Sequence, residues 1–172
     1  MCIRDRSQEI INRVAKSKLK TIDLDFFCPK TERISFDIKP WLKDELFLLE
    51  KDFRKKVNNF EWQNFNNKAV FITCSNDAII PDWAFILVSS KLNDQGVSNV
   101  IGSKEVLDIK LITDSLNAFD FSIYKDKPVI INGCSDQKIP LSAYSVLLEK
   151  LQHHAKSIMF GEACSSVPIY KS

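Results

Sequence analysis

Two stretches of this chain echo each other, and the echo restricts the fold more than any other feature does. Val70-Phe-Ile-Thr-Cys-Ser-Asn-Asp-Ala-Ile-Ile-Pro81 aligns with Val129-Ile-Ile-Asn-Gly-Cys-Ser-Asp-Gln-Lys-Ile-Pro140 once one residue is shifted on each side of the cysteine. Counting from the prolines, Ala84 matches Ala143, Phe85 matches Tyr144, Lys91-Leu92 matches Lys150-Leu151, and Gly102 matches Gly161. A short apolar run, a Cys-Ser loop, a helix-length stretch and a second apolar run therefore occur twice. Short apolar runs separated by helical stretches are the pattern of βαβ units and parallel strands.

The spacing predicts strands near 69–73, 99–102, 128–132 and 157–161, and helices near 81–92, 104–118 and 140–154. Pro81 and Pro140 suit helix starts, where a missing N–H costs nothing. Right-handed crossovers between parallel strands would bring the loops at Cys74, Cys134 and Cys164 out at one carboxyl edge, where open α/β sheets collect ligands. Upstream, Ser7 reads as the N-cap of a helix carrying Ile10, Ile11, Val14 and Leu19. Ile22/Leu24/Phe26 and Ile34/Phe36/Ile38 alternate as two strands expected to pair as a hairpin, ended by Pro40-Trp41. Phe53, Val57 and Phe60 are spaced for a short amphipathic helix. The expected fold class is α/β: a mainly parallel sheet built from two repeated strand–Cys loop–helix–strand units, with an N-terminal helix and β-hairpin extension. The expected organisation is a single α/β domain over 7–172, with 7–68 as an extension packed on a repeat core at 69–172.

Met1-Cys2-Ile3-Arg4-Asp5 reads as the in-frame translation of a transposon-adapter sequence, so residues 1–6 are treated as an artefact. Without them two Arg and one Asp leave the total of 24 basic and 22 acidic side chains, and the chain is close to neutral. That balance lacks the electrostatic footprint of a nucleic-acid binder. No apolar run approaches the roughly 20 residues that span a bilayer, and no leader segment is visible. Cytoplasmic residence with reduced thiols is the expectation.

Thiolates select zinc, iron and iron–sulfur centres, so Cys74, Cys134 and Cys164 are the candidate metal ligands. Glu105, at the repeat position that corresponds to Cys164, is a candidate fourth. Ser75, Ser135, Asp136 and Ser165 adjoin these thiols and are candidates to hydrogen-bond the bound group, although Ser and Asp populate turns without any such task. No Cys-x-x-Cys spacing supports the set, which rests on convergence in space. Cys28 precedes Pro29 outside the repeat and is left out of the set. His153 and His154 are adjacent on a helix and point in different directions. There is no glycine-rich phosphate loop and no Ser-His-Asp pattern.

Thr73-Cys-Ser-Asn-Asp-Ala-Ile-Ile-Pro-Asp-Trp-Ala84, Gly133-Cys-Ser-Asp136 and Ala155-Lys-Ser-Ile-Met-Phe-Gly-Glu-Ala-Cys-Ser-Ser-Val-Pro-Ile-Tyr-Lys171 closely resemble the DUF2480 proteins of Bacteroidetes. The likeness also takes in Pro29 through Pro40-Trp41 and Glu50-Lys-Asp-Phe-Arg54, and runs from about Glu9 to Lys171. Members of that family carry an aromatic residue where this chain has Cys28. The resemblance implies no activity. It does imply a link to sulfur-mobilisation iron–sulfur assembly, whose genes often lie beside those of the family. The expected function is an accessory role in iron–sulfur cluster or metal metabolism, with iron–sulfur assembly proteins as partners and an iron–sulfur cluster, iron or zinc as the bound species. The alternatives are a thiol-dependent enzyme of sulfur or acyl transfer and a non-catalytic interaction module.

Overall fold

The structure, a computed structural model, describes residues 18–133 and 138–172. Among these residues the elements run β1 (Lys20–Ile22), β2 (Glu32–Asp37), α1 (Glu50–Asn59), β3 (Lys68–Thr73), α2 (Asp82–Asp94), β4 (Ser98–Ile101), α3 (Lys104–Ala118), β5 (Pro128–Ile131), α4 (Leu141–Gln152), β6 (Ser157–Glu162) and β7 (Ser165–Lys171). Short 3-10 turns follow β1 at Leu24–Phe27 and β2 at Lys39–Trp41, and precede β3 at Trp62–Phe65 and β5 at Phe121–Tyr124.

The mixed α/β, mostly parallel architecture is the expected one, but its strands are divided between two sheets. The first has the order β2-β3-β4 and the second β1-β5-β6-β7, with only β6 and β7 antiparallel. Central parallel strands are covered on both faces and so read as continuous apolar runs. Ala69, Val70 and Ile72 of β3 and Val129, Ile130 and Ile131 of β5 are all buried accordingly. On the first sheet, Val70, Ile72 and Phe36 face a core completed by Phe53 and Val57 of α1 and by Ala84, Val88 and Leu92 of α2. On the second, Ile22, Val129, Ile131 and Ile158 face Ala143, Leu147 and Leu151 of α4.

Helix α3 belongs to both sheets. Leu107 and Leu111 pack on Ala69, Phe71 and Val100 of the first sheet, while Ile112 and Leu116 join the core of the second. A helix used on two sides needs a wider apolar surface than a single stripe. Its start is fixed by Ser103, whose hydroxyl accepts from the Val106 amide at 3.4 Å. Helix α2 ends in a Schellman turn. Gly96 takes φ +69°, and Val97 N donates to Leu92 O at 3.0 Å, as that left-handed cap requires.

The expected N-terminal hairpin is not present. β1 pairs in parallel with β5, and β2 in parallel with β3, so the two strands lie in different sheets. β1 is also shorter than the alternation of Ile22, Leu24 and Phe26 implied. The Asp23 carboxylate accepts from the Asp25 amide at 2.9 Å and turns the chain into the 3-10 segment Leu24–Phe27. The helix expected from Ser7 lies outside the described residues up to position 17, and Leu19, expected on it, is in no helix because it leads directly into β1. β7 lies beyond the expected strands, and it carries Pro168, a residue unusual within a strand. Proline is tolerated there because β7 is an edge strand.

Candidate functional site

Cys74 leaves the end of β3 half-buried, and its thiol donates to the Asn76 side-chain oxygen at 2.9 Å. Asn76 in turn donates to the Glu45 carbonyl, tying the loop after β3 to the turn at Asp44-Glu45, where both residues have positive φ. Ser75 points to a different partner. Its amide donates to Asp37 Oδ1 at 3.1 Å, and that carboxylate also accepts from the Lys39 amide at 3.0 Å. Burial works against the Asp37 charge, but the Ser75 hydroxyl, the two amides and the Lys39 ammonium outweigh it and hold its pKa below the ordinary carboxylate value. Asp37 thus anchors the loop that presents Cys74. Beyond the loop, α2 opens at Pro81 and α4 at Pro140, both with extended φ, ψ and no side-chain cap.

Gly133 is the last described residue before Cys134, and a Cβ there would lie 2.9 Å from the Phe160 ring. That contact accounts for the glycine at the point where the second Cys-Ser loop gains a residue over the first. Cys134, Ser135 and Asp136 themselves lie outside the described residues.

Cys164 occupies a β-hairpin turn. Glu162 and Ser165 are opposite each other in the β6–β7 ladder, which leaves Ala163 and Cys164 as a two-residue loop. Its sulfur is exposed and lies 4.0 Å from Glu162 Oε2. The strands carrying Cys74 and Cys164 thus belong to different sheets. Glu105 is exposed on the first turn of α3, where a carboxylate favours the positive end of the helix dipole. Among the described residues no three His, Cys, Asp or Glu side chains gather as a metal-holding group. A ligand set that includes Cys134 extends outside them.

A charged arrangement elsewhere involves Cys28, which sequence reasoning set aside, and residues it did not single out. A cavity of about 370 Å³ is lined by Cys28, Arg33, Lys104, Asp108, Ile112, Lys138 and Pro140. Arg33 Nε donates to Asp108 Oδ1 at 2.9 Å, and Lys104 Nζ to Asp108 Oδ2 at 2.7 Å. Burial raises the Asp108 pKa, but hydrogen bonds from Lys104 and Arg33 and their charges more than reverse this, and the carboxyl sits below its ordinary value. The Cys28 thiol donates to Leu24 O at 3.4 Å. Burial pushes its pKa up, with Asp25 adding to the effect and Arg33 opposing it. No sequence signal joins Arg33 to Asp108, 75 positions apart. Only the placement of α3 between the sheets brings them together.

Among known proteins, the family model described as a protein of unknown function, DUF2480, matches residues 8–172. No curated protein and no solved structure matches the chain.

Proposed function

The chain belongs to the DUF2480 family, and we propose that it is an accessory protein of iron–sulfur cluster or metal metabolism that holds a soft metal through Cys74, Cys134 and Cys164. The observation that carries this reading is that Cys74 and Cys164 are free thiols, one half-buried and one exposed, each on a tight loop at a strand end. Thiolates so placed suit zinc, iron or an iron–sulfur cluster in chemical kind. In number, two thiolates make an incomplete set, so the reading requires Cys134. Glu105 and the hydrogen-bonding groups Ser75, Ser135, Asp136 and Ser165 are the further donors proposed. Three thiolates leave one tetrahedral position for Glu105, water or a partner, and an open position is what a transfer site keeps. Iron–sulfur assembly proteins are the proposed partners, and a reducing cytoplasm is the proposed setting.

The test is anaerobic reconstitution with iron and sulfide, or with zinc, followed by metal analysis and an absorption spectrum. Stoichiometric metal that falls in each of Cys74→Ser, Cys134→Ser and Cys164→Ser supports the reading. Metal content unchanged in all three would end it. A chelator challenge then separates transfer from structure, since a metal retained on four protein ligands marks a closed structural site.

A thiol-dependent enzyme is the second reading. It is favoured by the start of α2, downstream of Cys74, where the N-cap residue Pro81 offers no side-chain capping bond. A covalent adduct on Cys74, detected by mass spectrometry after incubation with a thioester or persulfide donor, would favour it over metal handling.

A further inference from the structure

We propose that the cavity between the two sheets binds the phosphate group of a small phosphate ester. Among the described residues that line it, three cationic side chains, Arg33, Lys104 and Lys138, stand against one carboxylate, Asp108. A structural ion pair would balance its charges, but among these described lining residues two positive charges remain over, as many as the negative charges on a phosphate monoester dianion, with Asp25 and Asp23 near enough to act on Cys28. The volume of about 370 Å³ lies at the small end of ligand pockets, which span roughly 300–1,000 Å³. That fits a small molecule.

Arg33 is already fixed for the task. Its Nε is held by Asp108, and its Nη1 donates to Pro29 O at 2.6 Å and to Thr31 O. These bonds occupy Nε and Nη1 and leave Nη2 without a partner among the described residues. A planar, pre-oriented guanidinium suits phosphate oxygens because its N–H geometry matches theirs. Asp108 spans Arg33 and Lys104, so its own charge is offset where it stands. Lys138 is exposed and has no partner among the described residues. It is the cation left to meet a ligand. Pro140, the N-cap of α4, also lines the cavity, so the helix begins at its wall. Cys28 contributes a neutral surface there, because burial favours its protonated form. Binding at this cavity requires no metal.

Cys28 supplies the readout. The full chain is alkylated with iodoacetamide, and each cysteine is followed by peptide mass spectrometry in inorganic phosphate, in glycerol phosphate and in chloride of matched ionic strength. A bound dianion both covers the thiol and disfavours its thiolate, so Cys28 should react at least about fivefold more slowly in phosphate while Cys164 does not change. In Lys138→Ala the phosphate concentration for half-protection should rise about tenfold, the value of one charge-assisted hydrogen bond, and Lys138→Arg should restore it. Tighter protection by glycerol phosphate identifies an ester as the ligand, and equal protection identifies the phosphate group alone. Equal Cys28 rates in phosphate and chloride, or protection unaltered in Lys138→Ala, would overturn the assignment. Lys138 is on the surface, so the variant folds if its circular dichroism matches the parent.

Discussion

Replacing Leu116 with Ala tests whether α3 makes the two sheets one unfolding unit. Leu116 is fully buried in the core of the second sheet, with Ile22, Val129 and Leu147 in the same cluster. Truncating a buried leucine costs the transfer energy of the lost methyl groups plus a cavity term, about 3 kcal/mol here within a usual spread of roughly 2–5. With a urea slope of about 2 kcal/mol per molar for a chain of this size, the midpoint should fall by about 1.5 M. The three tryptophans make the assay selective. Trp62 is buried in the core of the first sheet, and Trp41 and Trp83 pack against that core. Tryptophan fluorescence therefore reports the sheet that Leu116 does not touch, while far-UV circular dichroism reports both. If Leu107 and Leu111 lock α3 to the first sheet as tightly as Leu116 locks it to the second, both probes shift together by the same amount. A fluorescence midpoint that stays in place while circular dichroism splits into two steps would refute a single cooperative unit.

Three further outcomes follow from particular contacts. The Asp108 pKa is lowered by the fold, so its stabilisation is present above the ordinary value of about 3.9 and is lost as pH falls through the lower folded-state value. Asp108→Asn should thus cost about 1.5–3 kcal/mol at pH 7, with the gap to wild type closing below about pH 4 in acid titrations of stability; a gap independent of pH would contradict this. Gly161 has φ +115°, and an added Cβ would stand 2.8 Å from the Ser165 carbonyl oxygen. Gly161→Ala should cost about 1–3 kcal/mol and speed amide exchange across β6–β7, so unchanged exchange there would show that the hairpin absorbs the strain. Cys28→Ser should leave metal content as in the parent, since Cys28 faces Leu24 O and the Arg33 cavity; metal lost from a folded variant would place it among the ligands.

The sequence carried local structure well and long-range pairing poorly. Val70–Ile72 and Val129–Ile131 read as buried strands because a strand covered on both faces has no room for polar residues. The start of α3 is also local in origin, a Ser103 hydroxyl placed to satisfy the Val106 amide, although the spacing alone predicted the helix. The alternation at Ile22 and Phe36, by contrast, identifies strands without naming their partners, and neighbours in sequence proved to belong to different sheets. Asp23 cut β1 short through a side-chain bond that the hydrophobic pattern does not register. β7 followed the last expected strand unannounced, and its Pro168 is excused by a long-range fact, the strand's place at the sheet edge. For the site, the order of Cys74 and Cys164 relative to strands was legible, but the assignment of those strands to different sheets was not. The Arg33–Asp108 pair was not legible because its two halves have no local relation.

The route of β1 through the fold sets a timetable for synthesis. Lys20 pairs with Val129, so β1 leaves the ribosome about 110 residues ahead of the strand it joins, a wait of roughly 5–20 s at ordinary elongation rates. During that interval β2, β3 and β4 are all synthesised, and the first sheet has every strand it needs. The second sheet closes only when nearly the whole chain has emerged, and its first strand must stay unpaired until then. Three residues of exposed edge offer little for another chain to copy. The brevity that Asp23 imposes on β1 thus protects the nascent protein over the period when that strand has no partner.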